Sequence, residues 1–205
     1  MVDLKLGNQT YNGIDRVQIN KADSSGVVNF TPSDDLFAAM SGTVVVGLYE
    51  NPYITAMSAS AMGIANMFTT AYFANVTQFV SARGLGAVNK CSCKYFIAPK
   101  LQVADNISWN GEVNVLDFTD LTSAAYYSFS SSNLTAVIIR GTNTVPTVGS
   151  AANQKANVTV YVPSSMVSAY NNNSGWAALV SDKGWTITAL EGSQYENPDW
   201  FRTAV

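Results

Sequence analysis

Asn133-Leu134-Thr135-Ala136-Val137-Ile138 and Asn157-Val158-Thr159-Val160-Tyr161-Val162 share one pattern, and Asn75-Val76-Thr77-Gln78-Phe79-Val80 is a third copy. Each places an Asn, an aliphatic residue and a Thr before a β-rich run. Tyr95-Phe96-Ile97, Leu116-Asp117-Phe118 and Val137-Ile138-Ile139 recur 21 residues apart, and Trp109 and Phe129 are 20 apart. A period in the low twenties with one short strand per unit is the signature of a leucine-rich-repeat solenoid. One such unit cannot bury its apolar face alone, whereas stacked units share a core. The recurring Asn suits corners where backbone groups need a side-chain partner.

Outward from these strands, Pro163 to Tyr170 reads as a capped short helix stopped by Asn171-Asn172-Asn173-Ser174-Gly175. Trp176 to Val180 starts a second helix, closed by Lys183-Gly184, and Trp185 to Leu190 is a final strand. This atypical last unit, with its two tryptophans, is expected to cap the solenoid. Upstream, Leu4 and Leu6, then Val17 and Ile19, alternate with polar residues as in short strands. Tyr11-Asn12-Gly13 and Ala22 to Gly26 read as turns, followed by Val27 to Phe30. Leu36 to Met40 reads as a short helix, and Thr43 to Tyr49 as a buried strand ended by Asn51-Pro52.

Composition narrows the function. Of 205 residues 47% are apolar but only 12% are charged, the net charge is −3, and there is no histidine. Asn, Ser and Thr together number 57, so the surface is polar without being ionic. A basic nucleic-acid footprint is not present, and triads or zinc sites that use His are excluded. Cys91 and Cys93 are too close to bridge without strain and read as free thiols. The start of the chain is not a signal peptide, which points to a chain made and kept in a reducing cytoplasm, or assembled there before release. No charged residue occurs between Glu50 and Arg83. Repeated Ser and Thr, Asn66 and the poor flanking anchors favour a buried segment or a subunit interface there over a membrane span.

Chemistry-bearing constellations are sparse. Asp34-Asp35 and the Asp117/Asp120 pair are the neighbouring carboxylates; Asp117 is expected on the outer face of a strand and Asp120 in the following turn, both solvated. Gly84-Leu85-Gly86 lacks the rest of a nucleotide fingerprint, and no calcium loop occurs. Met57, Met62 and Met67 read as core fillers. Neither catalytic nor metal residues nor a cofactor are expected. Tyr195, Trp200 and Phe201, among polar residues of the tail, are the candidate partner-binding anchors; a tail folded back on its own domain is the other reading.

The segment Phe96 to Leu190 resembles BspA-like leucine-rich-repeat proteins. Leu116 to Phe129 looks like that family's strand, coil and buried Phe, and Asn133 to Arg140 continues into the next strand. Tyr161 to Tyr170, with Trp176 after it, is similar to the C-terminal cap of such repeats in bacteriophage and prophage structural proteins. Leu4-Lys5-Leu6-Gly7-Asn8-Gln9-Thr10-Tyr11-Asn12-Gly13-Ile14 looks like the opening of phage virion proteins that carry them. Residues 36–75 depart from the repeat, and the family's usual Cys and Gly positions are mostly missing.

The expected fold class is therefore mainly β with short helices: a small N-terminal β region, then a degenerate leucine-rich-repeat solenoid with a helical C-terminal cap. The expected parts are an N-terminal β segment for particle attachment or oligomerisation (1–35), an uncharged connector or degenerate repeats (36–75), the solenoid and cap (76–192) and a docking tail (193–205). The resemblance implies a non-enzymatic structural component of a bacteriophage virion: a head or tail fibre, decoration or adhesion module, in a homo-oligomer. Its partners would be other virion proteins and a host-surface glycan, with no nucleic acid and no membrane insertion. The alternatives are a cellular surface or interaction protein that binds host protein or glycan, and a polysaccharide-degrading tail spike.

Overall fold

The computed structural model describes residues 2–6, 9–14, 16–18, 47–50, 52, 55–57, 69–79, 93–104, 112–125 and 128–203. The strands are β1 (Val2–Leu6), β2 (Gln9–Ile14), β3 (Arg16–Gln18), β4 (Leu48–Glu50), β5 (Ala56–Met57), β6 (Thr70–Tyr72) and β7 (Gln78–Phe79). They continue with β8 (Tyr95–Ile97), β9 (Val115–Phe118), β10 (Ser123–Ala124), β11 (Ala136–Ile139), β12 (Thr147–Val148), β13 (Thr159–Val162) and β14 (Thr186–Ala189). Two α-helices, α1 (Val167–Asn172) and α2 (Ser174–Lys183), lie between β13 and β14. Among the described residues no helix is long and apolar enough to cross a membrane.

The main sheet has eight strands in the order β3-β4-β6-β8-β9-β11-β13-β14, every neighbouring pair parallel. Strand order follows chain order. Two smaller parallel pairs, β5 with β7 and β10 with β12, form a second tier. β1 and β2 form an antiparallel pair with Leu6 opposite Gln9. Tyr11-Asn12-Gly13, expected as a turn, thus lies within β2.

Register explains the core. Tyr49, Ala71, Phe96, Leu116, Val137, Val160 and Ile187 are successive partners across the sheet. All seven belong to the main apolar cluster, with Ile187 only partly buried. Phe73, Phe118 and Phe129 join it, and Trp176 and Trp185 close it from the helical side. Their indole N–H groups donate to the carbonyls of Pro146 (2.8 Å) and Lys155 (2.6 Å), so neither ring buries an idle donor. Thr and Asn side chains satisfy backbone carbonyls at the corners. Thr122 Oγ1 donates to Gln102 O (2.9 Å), Thr135 Oγ1 to Asn114 O (3.1 Å) and Asn114 Nδ2 to Asn133 O (3.3 Å).

The expected fold class is overturned. In place of a small N-terminal β region followed by a leucine-rich-repeat solenoid with a helical C-terminal cap, the chain forms an all-parallel sheet with two helices, a mixed α/β arrangement and not a clear β solenoid. Three physical facts account for the difference. β3, β4 and β6 hydrogen-bond into the same sheet as the later strands. The final strand expected after the helices does form, but as β14 it pairs parallel with β13 within the main sheet, so α1 and α2 make the crossover that parallel neighbours need, for which a helix is the usual means. Finally, β9 and β11 are buried at all four positions, as in sheets covered on both faces, not alternately buried and wet.

The Asn-led pattern also proves to be two different things. Asn133 and Asn157 lead into main-sheet strands, whereas Asn75 leads into β7, in the second tier. The 21-residue spacing holds for Leu116 and Val137, which are lateral neighbours, but it is one residue too long for the preceding pair: Leu116 sits beside Phe96, 20 residues back, and Tyr95 beside Val115. Cys93 is buried in the main apolar cluster. Cys91, Trp109, the turn at 22–26, the strand at 27–30, the helix at 36–40, Gly84 to Gly86, Met62 and Met67 lie outside the described residues.

Candidate functional site

The second face of the sheet is where the charged residues gather. Glu50, Tyr72, Ile97, Asp117, Ile138 and Tyr161 occupy one lateral row on β4, β6, β8, β9, β11 and β13. After β14 the chain turns at Gly192, whose φ of +78° suits glycine, and runs back over this row. Tyr195 meets Tyr161 edge-on, with ring centroids 4.9 Å apart. Trp200 meets Tyr95 at 5.3 Å, Phe201 meets Tyr72 at 4.8 Å, and Arg202 reaches Glu50 on β4. The tail is thus a strap across six strands, from β13 to β4. Leu48, Ile97, Val115, Ala136 and Ile138 form a second apolar cluster with Leu190, Tyr195, Trp200 and Phe201.

Asp117 is the centre of the strap's attachment. Arg140 Nε donates to Asp117 Oδ1 at 2.9 Å and Arg140 Nη2 to Oδ2 at 2.8 Å, a bidentate pair. Trp200 Nε1 donates to the same Oδ2 at 2.7 Å. Arg140 also donates to the tail carbonyls of Tyr195 (Nη2, 2.8 Å) and Glu196 (Nη1, 3.2 Å). Burial pushes the Asp117 carboxyl above its ordinary range, more strongly than Arg140 and Trp200 pull it down. The second attachment is Arg202 with Glu50, at 3.0 and 3.2 Å. Those bonds hold the guanidinium above its ordinary pKa, and the cation sits 5.4 Å from the Tyr72 ring centre.

Asp117 was expected to be solvated; it is 2% exposed. Its side chain does leave the main core, as its place in the strand predicts, but the tail covers that face. Asp120 is exposed, in the bend after β9. Tyr195, Trp200 and Phe201, the candidate anchors, lie together beneath or within the strap at 8%, 7% and 0% exposure, packed on the chain's own sheet. The sequence reading missed Arg140, Arg202 and Glu50. A usable signal existed: in a chain so poor in charge, Asp117 inside an apolar strand and Arg140 just past the next strand stand 23 residues apart, two residues beyond Ile138, the lateral neighbour of Asp117.

Among the described residues a cavity of about 440 Å³ lies beside α2, lined by Val148, Ser150, Gly175, Ala178 and Asp182 among others, and two further open features lie nearer the main sheet and strap. At the carboxyl ends of β9 and β11 lies a polar groove of about 390 Å³, lined by Thr119, Asp120, Thr142 and Asn143 among others. On the strap, a cavity of about 260 Å³ is lined by Tyr95, Gln194, Tyr195, Trp200 and Thr203. Among the described residues no group of three or more acidic or thiol side chains could hold a metal ion. Comparison with family models, with curated proteins and with solved structures finds no match.

Proposed function

We propose that the chain is a non-enzymatic structural component of a bacteriophage virion, a fibre, decoration or adhesion module that works by presenting a rigid surface in many copies. The observation that carries this reading is the use made of buried charge. Asp117 and Glu50 are both consumed by arginines that hold the tail down. They sit three strand spacings apart, about 14 Å, beyond the 5–9.5 Å that a glycosidase pair spans. This weighs against a polysaccharide-cleaving spike. The resemblance of Leu4 to Ile14 to the opening of virion proteins supplies the particle context. A surface of Asn, Ser and Thr binds through hydrogen bonds that salt screens little, and many weak copies give avidity.

The test is protein mass spectrometry of purified particles, together with light scattering of the isolated chain. The reading expects the chain in stoichiometric amounts in particles and as an oligomer in solution. A monomer absent from particles, or release of sugar from host polysaccharide, contradicts it.

A further inference from the structure

We propose that the cavity lined by Tyr95, Gln194, Tyr195, Trp200 and Thr203 is a subsite for one neutral sugar ring of a surface glycan. This deepens the attachment reading and rests on it. The lining combines three aromatic rings with a carboxamide, a hydroxyl and two phenols. A sugar ring offers the matching mixture, with C–H faces for the aromatics and hydroxyls for the amide and phenols. Among the described residues no carboxylate, ammonium or guanidinium lines the cavity. The nearest cation of the strap, Arg202, is already engaged by Glu50 and Asp199. Nothing there would select an ion over a neutral ligand.

Size and rigidity agree. At about 260 Å³ the cavity falls below the 300–1,000 Å³ typical of drug-sized ligands, which limits it to a single ring. Its walls are fixed before any ligand arrives. Trp200 is held by its bond to Asp117 and by edge-on contacts with Tyr95 and Tyr195 at 5.3 and 4.9 Å. Thr203 Oγ1 donates to Trp200 O at 2.9 Å. Preorganisation of this kind lowers the ordering cost of binding. The cavity needs both β8 and the strap, so it exists only while the tail is closed.

The experiment uses the full chain, titrated with the methyl glycosides of glucose, galactose and N-acetylglucosamine while the Trp200 indole resonance is followed by NMR. A methyl glucuronide serves as the charged control. The expected result is millimolar binding of at least one neutral glycoside. Gln194→Ala and Thr203→Val, both at exposed positions, should each weaken it roughly three- to tenfold, the worth of one hydrogen bond. No indole shift with any neutral glycoside, a preference for the glucuronide, or shifts that both variants leave untouched overturns the proposal. Particle association is scored separately. A chain found in particles that ignores every neutral sugar removes the subsite alone, and a sugar-binding chain absent from particles removes the virion reading alone.

Discussion

Tyr170 is fully buried, and its phenol finds no hydrogen-bond partner among the described residues. Such a group costs free energy without return, so Tyr170→Phe should be neutral to stabilising, by about 1 kcal/mol. Burial also raises the phenol's pKa above 10.0. The folded state therefore keeps its proton where the unfolded chain releases it. The stability linked to this group is complete below pH 10.0 and falls as pH climbs beyond it. The advantage of Tyr170→Phe should accordingly grow above pH 10, as read by urea unfolding of the two proteins at neutral and alkaline pH. An advantage that shrinks there would contradict the assignment. Asp117 poses the opposite case, a charge that is fully partnered. Asp117→Ala strands the Arg140 guanidinium, whose side chain is only 13% exposed, and should cost about 3–5 kcal/mol. Asp117→Leu combined with Arg140→Met should recover much of that loss in the same unfolding assay, because no buried charge then lacks a partner.

Among the elements, the pair α1 and α2 depends on two residues that punctuate it. Asn173 ends α1 in an extended conformation and caps α2, its side-chain oxygen accepting from the N–H groups of Gly175 (3.1 Å) and Trp176 (3.4 Å). Asn173→Ala should cost about 1 kcal/mol. Gly184 ends α2 at φ +67°, and a Cβ there would stand 2.8 Å from Asn157 Oδ1. Gly184→Ala should cost roughly 1–2 kcal/mol from backbone conformation alone, and more if Asn157 cannot move. Thermal unfolding of the two variants checks both. These helices were legible in the sequence, because Asn-rich and Gly punctuation is local chemistry. What they do was not. Whether a helix caps a stack or crosses over to a further strand depends on the partner that Thr186 to Ala189 finds, which no local signal states. The lateral row Phe96, Leu116, Val137 was legible to within one residue, since apolar residues at a near-constant spacing need only a shared core, while the step of 20 and not 21 between β8 and β9 is set by the length of their connection. The Asn75 segment misled because Asn-aliphatic-Thr answers the need of a corner, and corners serve both tiers.

Across the whole molecule, the sheet behaves as a layer covered twice: by its own core residues on one face and by its own tail on the other. Sequence periodicity revealed the first cover only. The second depends on contacts 83 and 152 residues apart, Trp200 with Asp117 and Arg202 with Glu50, which lie beyond any periodic signal. The aromatics of a polar tail marked Tyr195, Trp200 and Phe201 as anchors, for a partner or for the chain's own domain, without choosing between the two. Truncation after Gly192 should expose Ile97, Val115 and Ile138 along with the Asp117–Arg140 pair, giving a lower melting temperature and self-association in light scattering. An unchanged melting temperature with loss of assembly alone would instead mark the tail as a docking element for other subunits. The most direct test of the closed strap is hydrogen exchange at the Trp200 indole N–H, followed by NMR. The account predicts slow exchange that becomes fast in Asp117→Ala. Exchange in the unsubstituted protein as rapid as that of a free indole would contradict it.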